Sequence, residues 1–160
     1  MTHIGCTGHQ SLSFATRRDV AAAIAAILAA ACDEELVGLS SLAEGADQVF
    51  AFAVLAAGGQ LNAVIPSEYY ERSFQSDRPR AIYKWLLRFA TNQITLQFPA
   101  PSEEAFLAAG YEVVDRCDIL LAVWDGQAAA GKGGTADVVS YARAQGIDVR
   151  VVWPVDASRG

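Results

Sequence analysis

The side chains able to do chemistry in this 160-residue chain gather in three short glycine-containing stretches. The first, Gly5-Cys6-Thr7-Gly8-His9-Gln10, sets a hydroxyl and an imidazole among small residues. Glycine lets a backbone approach a ligand closely and leaves N–H groups free to face it. Gly5, Thr7, Gly8 and His9 are therefore candidate ligand contacts, beside the plainer alternative of a tight turn capped by His9. The second stretch, Gly38-Leu39-Ser40-Ser41-Leu42-Ala43-Glu44-Gly45-Ala46-Asp47, offers Ser40 and Ser41 to a phosphate or ribose, and Glu44 or Asp47 to a ribose hydroxyl, around Gly45. The same serines and carboxylates equally suit the free N–H groups at a helix start. The third, Trp124-Asp125-Gly126-Gln127-Ala128-Ala129-Ala130-Gly131-Lys132-Gly133-Gly134-Thr135, is the strongest. Asp125, Gly126, Lys132, Gly133, Gly134 and Thr135 lead into a helix, where unpaired N–H groups and the positive dipole end form an anion cradle. It is not a Walker A loop, because Lys132 is followed by a glycine pair instead of Ser or Thr. The dinucleotide fingerprint G-x-G-x-x-G is also absent from the first stretch.

Carboxylates outnumber cations in these stretches. Glu44, Asp47, Asp125 and Asp137 lie in or beside them, against Lys132 alone. A bare polyphosphate would be repelled, so a ribose, an amino group or a ligand carrying Mg²⁺ suits such a site better. Glu44, Asp125 and Asp137 are the candidates for general acid or base work, although Asp47 and Asp137 equally suit helix caps. The segment from Pro66 to Arg80 is polar and aromatic and forms a candidate lid. In it Tyr69, Tyr70 or Phe74 would stack a base, and Arg78 or Arg80 would reach a phosphate.

Positioning these loops requires alternating strands and helices, and the chain reads that way throughout. Strand signals fall at His3–Cys6, Leu36–Leu39, Leu61–Ile65, Gln93–Phe98, Asp118–Trp124 and Asp148–Trp153, with helical runs at Thr16–Cys32, Ala46–Ala57, Pro79–Asn92, Ser102–Asp115 and Thr135–Gln145. Asp118–Trp124 and Val149–Trp153 are nearly continuous apolar stretches, the mark of strands covered on both faces. Gly58-Gly59 and Gly146 read as helix stops, and Asp77 as a cap before Pro79. The expected fold is α/β, a Rossmann-like doubly wound, mainly parallel sheet with helices on both faces, in one domain over residues 1–160. Ligands of such sheets sit outside the carboxyl ends of the strands. Trp85, Trp124 and Trp153 are expected in or near the core.

Composition sets further expectations. Apolar residues make up 52% of the chain and charged residues 19%, which excludes a disordered chain. Eighteen acidic against twelve basic residues give a net charge of −6, which argues against nucleic acid as a partner. The longest apolar run, Val20–Cys32, is shorter than the roughly 18–20 residues a membrane span needs. The first residues do not read as a signal peptide. Cys6, Cys32 and Cys117, an odd number with no CxxC spacing, read as free thiols in a reducing, cytoplasmic setting.

The second stretch, followed by Ala56-Ala57-Gly58-Gly59 and Ala63-Val64-Ile65-Pro66, resembles the corresponding part of the DprA/Smf DNA-processing proteins. Asp118–Trp124 with Gly133-Gly134-Thr135 resembles the glycine-rich motif of the Lonely Guy (LOG) phosphoribohydrolases. Together these residues resemble the SMF/DprA–LOG (SLOG) superfamily of Rossmann-like nucleotide-ligand binding domains, from Ile4 to Pro154. The resemblance implies a nucleotide or nucleotide-derived small molecule across the three loops, and a homodimer. Helices around Pro79–Asn92 or Ser102–Asp115, with Trp85, Leu86, Phe89 and Phe106, are the expected dimer surface. LOG enzymes carry a glutamate three residues after the motif's threonine. Here Val138 stands at that position, and Asp137 falls one residue, about 100°, short of it. The expectation is therefore a nucleotide sensor or binder, with a LOG-like hydrolase and a DprA-like DNA-processing protein as alternatives.

Overall fold

The computed structural model describes residues 1–31, 35–128 and 134–159. Six strands form one sheet in the order β4-β3-β2-β1-β5-β6, with every neighbouring pair parallel. They are β1 (Thr2–Gly8), β2 (Leu36–Ser40), β3 (Gln60–Ile65), β4 (Asn92–Thr95), β5 (Ile119–Val123) and β6 (Asp148–Val151). The helices between them are α1 (Phe14–Ala31), α2 (Ala46–Ala56), α3 (Asp77–Arg88), α4 (Glu103–Arg116) and α5 (Thr135–Ala144), and a 3-10 turn spans Tyr70–Ser73. The chain lays β1 to β4 outward in one direction, then crosses back to place β5 on the other side of β1. The strand order reverses at β1 and β5, and in such sheets a crevice opens at that point.

Alternation along the strands sorts the helices onto two faces. Ile4 and Cys6 of β1 pack with Val20, Ile24 and Leu28 of α1 and with Phe50 and Val54 of α2. Gly5 faces the other way, where a Cβ would come within 2.6 Å of Val113 on α4. Leu39, Val64 and Leu120 bury against Val113 and Val114 of α4 and Val138 and Ala142 of α5. Leu61, Ala63 and Ile65 meet Tyr83 and Leu86 of α3 together with Tyr70 and Phe74. Each fully buried aliphatic side chain contributes roughly 1.5–3 kcal/mol. The doubly wound α/β sheet is thus the one the sequence predicts.

Caps set the helix ends. The Ser13 hydroxyl accepts from Thr16 N–H at 3.2 Å, and Ser102 accepts from Ala105 N–H at 3.0 Å. At the far end of α2, Gly58 adopts φ +77°, and Gly59 N–H reaches back to Val54 O at 2.9 Å. Gly146, at φ +76°, ends α5 in the same way. Asp77 is not the cap of α3: Ser76 holds that position without a side-chain bond, and Asp77 pairs with Arg80 at 2.8 Å.

Two burial expectations are corrected. Val149–Trp153 reads as a strand covered on both faces, yet β6 is an edge strand and Val151 is 48% exposed. Trp85 is not in the core. It is 45% exposed on α3, stacked on Phe52 of α2 with ring centroids 5.5 Å apart and against Phe89 at 4.5 Å. Leu86 on the same helix is fully buried. Cys6 and Cys117 are buried free thiols, and Cys32 lies outside the described residues. Among the described residues no helix is long and apolar enough to cross a membrane.

Candidate functional site

The loop after β1 is fastened to the start of α2. His9 N–H donates to Val123 O at 3.1 Å, and Ala46 N–H donates to His9 O at 3.1 Å, so the His9 carbonyl takes one of the free donors of α2. Gly45 makes this approach feasible. It sits at φ +87°, and a Cβ there would meet the carbonyl oxygens of Gln10 and His9. Gly8 is equally confined, because a Cβ would lie 2.5 Å from Ala46 Cβ and 2.7 Å from Val123 Cβ. Ser40 is fully buried: its hydroxyl accepts from Leu42 N–H at 3.0 Å and donates to Asp47 O at 3.4 Å. It holds a turn in which Leu42 takes φ +59°. Gly5, Ser40 and Gly45 therefore shape the backbone and do not line the cavity described next.

Against these loops lies a cavity of about 680 Å³. Its walls change in character along the sheet. Behind β3 it is aromatic, with Tyr70, Phe74 and, from α4, Phe106. Behind β2 it is acidic and polar, with Ser41, Glu44 and Asp47. Behind β1 and β5 it carries Thr7, Gly8, His9, Arg17, Trp124 and Arg159, closed by Gly134 and Thr135 at the start of α5.

The titrating groups differ by environment. Burial pushes the Asp47 carboxyl up to about 7, opposed only by the Ala43 N–H that it accepts at 3.3 Å. Burial also raises the Cys6 thiol, with the Asp47 carboxylate adding to the effect. His9 is lowered by burial and by the Arg159 charge, against the pull of Asp125. Its Nε2 accepts Asp125 N–H at 3.1 Å, which leaves the ring proton on Nδ1, and Trp153 packs edge-on at 5.4 Å. Asp125 is held at about 2, mainly by Arg159, whose guanidinium meets its two oxygens at 2.7 and 3.0 Å.

The structure brings Thr7, Gly8, His9, Ser41, Glu44, Asp47, Gly134 and Thr135 to one cavity. Asp125 and Gly126 stand beside it without lining it. Of the catalytic candidates only Glu44 faces the cavity. Asp125 is consumed by Arg159, and Asp137 is exposed on the outer side of α5, while Val138 is buried and lines the wall. Lys132 and Gly133 lie outside the described residues. The lid candidates are also corrected. Tyr69 is half exposed beneath Arg72, at 4.2 Å from the guanidinium carbon to the ring centroid. Arg78 is exposed and does not line the cavity. Arg80 is tied into its own segment by the carbonyls of Glu71 and Phe74, at 3.0 and 2.7 Å. Tyr70 and Phe74 line the wall instead. The sequence reading misses Arg17, Phe106 and Arg159. Arg17 could have been found from its place one residue past the Ser13–Thr16 cap, at the carboxyl edge of the sheet. Arg159 has no local signal. Among the described residues no group of three His, Cys, Asp or Glu side chains is placed to hold a metal ion.

Solved structures share this architecture. The DNA processing protein A (DprA) of Streptococcus pneumoniae superposes with a TM-score of 0.68 at 20% identity, over 94% of this chain and 50% of that one. The Helicobacter pylori DprA gives 0.64 at 18% identity, over 94% and 64%. The fold is that of DprA. It is also the fold that the SLOG resemblance implies. A structural-genomics target, TM1055, gives 0.60 at 16% identity, over 93% of this chain and 72% of that one. This chain thus spans half the length of the S. pneumoniae DprA and about two thirds of the H. pylori one. No family model and no curated protein matches it. One expectation is overturned. The H. pylori DprA binds single-stranded DNA, so an acidic net charge does not set nucleic acid aside for this fold. The physical reason is locality. Phosphates respond to cations within about a Debye length, and Arg72, Arg78, Arg80, Lys84 and Arg88 cluster within residues 72–88 despite the overall −6.

Proposed function

We propose that the cavity binds a nucleotide or nucleotide-derived small molecule, and that the protein acts as a sensor or binder of that ligand. The observation that carries this reading is the gradient along the cavity wall: aromatic rings for a base, hydroxyl and carboxylate groups for a ribose, and arginines beside a helix start for a charged end. About 680 Å³ is in the range of small-molecule sites. The test is a thermal-shift and calorimetric screen of ribonucleosides and their 5′-monophosphates, with and without Mg²⁺, and with a single-stranded oligonucleotide as comparator. At a hundredfold excess over Kd the bound protein gains about 2.7 kcal/mol, which is roughly 5–10 °C in Tm for a domain of this size. Binding of the oligonucleotide alone would replace the small-molecule reading with a DNA-handling one.

One observation favours a second reading. Asp47 faces the cavity with a carboxyl near neutrality, the range a general acid or base needs. A hydrolase using Asp47 would release free base from nucleoside monophosphates. With Val138 at the position of the LOG glutamate, the expected turnover is far below the roughly 1 per second of ordinary enzymes.

The exposed rings of Phe52, Trp85 and Phe89 support a homodimer through the α2–α3 face.

A further inference from the structure

The segment after β6 turns to the start of α1 and brings Arg159 to the cavity. Asp156 turns it at φ +67°. Ser158 N–H donates to the Thr16 hydroxyl at 2.8 Å, and Ser13 N–H donates to Ser158 O at 3.3 Å. Ser13 and Thr16 form the cap of α1, one residue before Arg17. The two anchors therefore fasten the segment to the same turn that carries Arg17, and they bring Arg159 across to Asp125. Among the described residues, Arg17 and Arg159 are the two arginine or lysine side chains that line the cavity. The Arg17 guanidinium has no partner among those residues. The Arg159 guanidinium has one, and that partner is replaceable. Its fork spans both oxygens of Asp125 in the bidentate geometry that also fits a phosphate, and the side chains are 46% and 19% exposed. The Arg159 guanidinium is itself reachable from solvent, so a phosphate dianion competes with the single carboxylate charge for the same fork. Asp125 does not lose its position when it is released, since Gln127 N–H still donates to it at 2.9 Å and its own N–H remains on His9 Nε2.

We propose that Arg159 and Arg17 form the phosphate-recognising end of the cavity, with Arg159 passing from Asp125 to a phosphomonoester of the ligand. This rests on the nucleotide reading of the same cavity and names the residues that distinguish a phosphorylated ligand from its nucleoside. No bond is made or broken in the exchange. A dianionic phosphate takes the place of a carboxylate on one guanidinium and gains the second.

Inorganic phosphate tests this without knowledge of the base. Titrated into the unmodified protein, it should shift the Arg159 Nε–H resonance in ¹H–¹⁵N spectra. Arg159→Ala and Arg17→Ala should each weaken its binding at least tenfold, with Arg159→Lys intermediate. Asp125→Asn, which frees the guanidinium, should tighten it several-fold. Circular dichroism and Tm identify any variant that has lost the fold, and Arg17→Ala, at an exposed position, supplies the measurement if Arg159→Ala has. Phosphate binding unchanged in both alanine variants, or absent in the unmodified protein, overturns the proposal. If nucleosides bind but Arg159→Ala leaves monophosphate affinity intact, this inference fails and the nucleotide reading stands. If phosphate binds through both arginines but no nucleoside or nucleotide does, the inference stands and that reading fails.

Discussion

Asp47 and Gly45 show how little of the site's behaviour follows from residue type alone. The sequence offers Asp47 as a helix-start carboxylate, which would be stabilised in its charged form. The structure sets it at the cavity wall, where burial raises it to about 7. Its folded value lies above the unfolded one near 3.8. The folded state therefore holds the extra proton between about pH 4 and 7, and stability must fall as pH rises through that window and level off above it. Asp47→Asn should remove a slope of up to about 1.4 kcal/mol per pH unit from urea-unfolding measurements across pH 4–7, and should be the more stable protein at pH 8. An unchanged slope would show that the carboxyl is not buried in solution. Gly45 was legible as a candidate ligand contact but not as a structural necessity. Its positive φ and the nearby carbonyls of His9 and Gln10 become visible only when β1 and α2 meet. Gly45→Ala should cost roughly 2–4 kcal/mol in the same assay. Ser40, which the sequence left open between phosphate or ribose contact and helix capping, is neither: it holds a turn, and its hydroxyl is already used.

At the scale of elements, the sequence specified most of what folds. Short, nearly continuous apolar runs and helix stops such as Gly58-Gly59 mark elements by local rules, and β5, which pairs on both sides, keeps its apolar run. Edge position is not local, which is why β6 reads as buried and is not. The segment from Pro66 to Arg80 was legible as a cover, but the wiring of its residues 69–75 was not. Arg80 holds it from α3 by donating to two of its carbonyls, so it acts as a staple and not as a ligand contact. Arg80→Ala should cost about 1–2 kcal/mol, raise amide exchange across residues 69–75, and lower nucleoside affinity several-fold without abolishing it. Exchange unchanged in that segment would contradict the staple.

Across the whole molecule, topology does what no single loop can. The reversal of strand order at β1 and β5 sets loops from β1, β2, β3 and β5 around one cavity, an outcome readable from strand–helix alternation. The contribution from beyond β6 was not readable, because Arg159 reaches the site through anchors on α1 that have no sequence signature. The same scale decides assembly. Phe52, Trp85 and Phe89 are 41%, 45% and 52% exposed on two adjoining helices. Light scattering at tens of micromolar should give twice the mass of one chain, and a Trp85→Ser, Phe89→Ser variant should give one; a single-chain mass for the unmodified protein removes the dimer. Occupation of the cavity at the sheet's carboxyl edge by a nucleotide-derived ligand can be read most directly by ¹H–¹⁵N shift mapping with ribonucleoside 5′-monophosphates. Saturable shifts should concentrate at Thr7–His9, Ser41–Asp47, Tyr70–Gln75 and Gly134–Thr135. Shifts confined to the α2–α3 face, or no saturable shift with any of them, would contradict it.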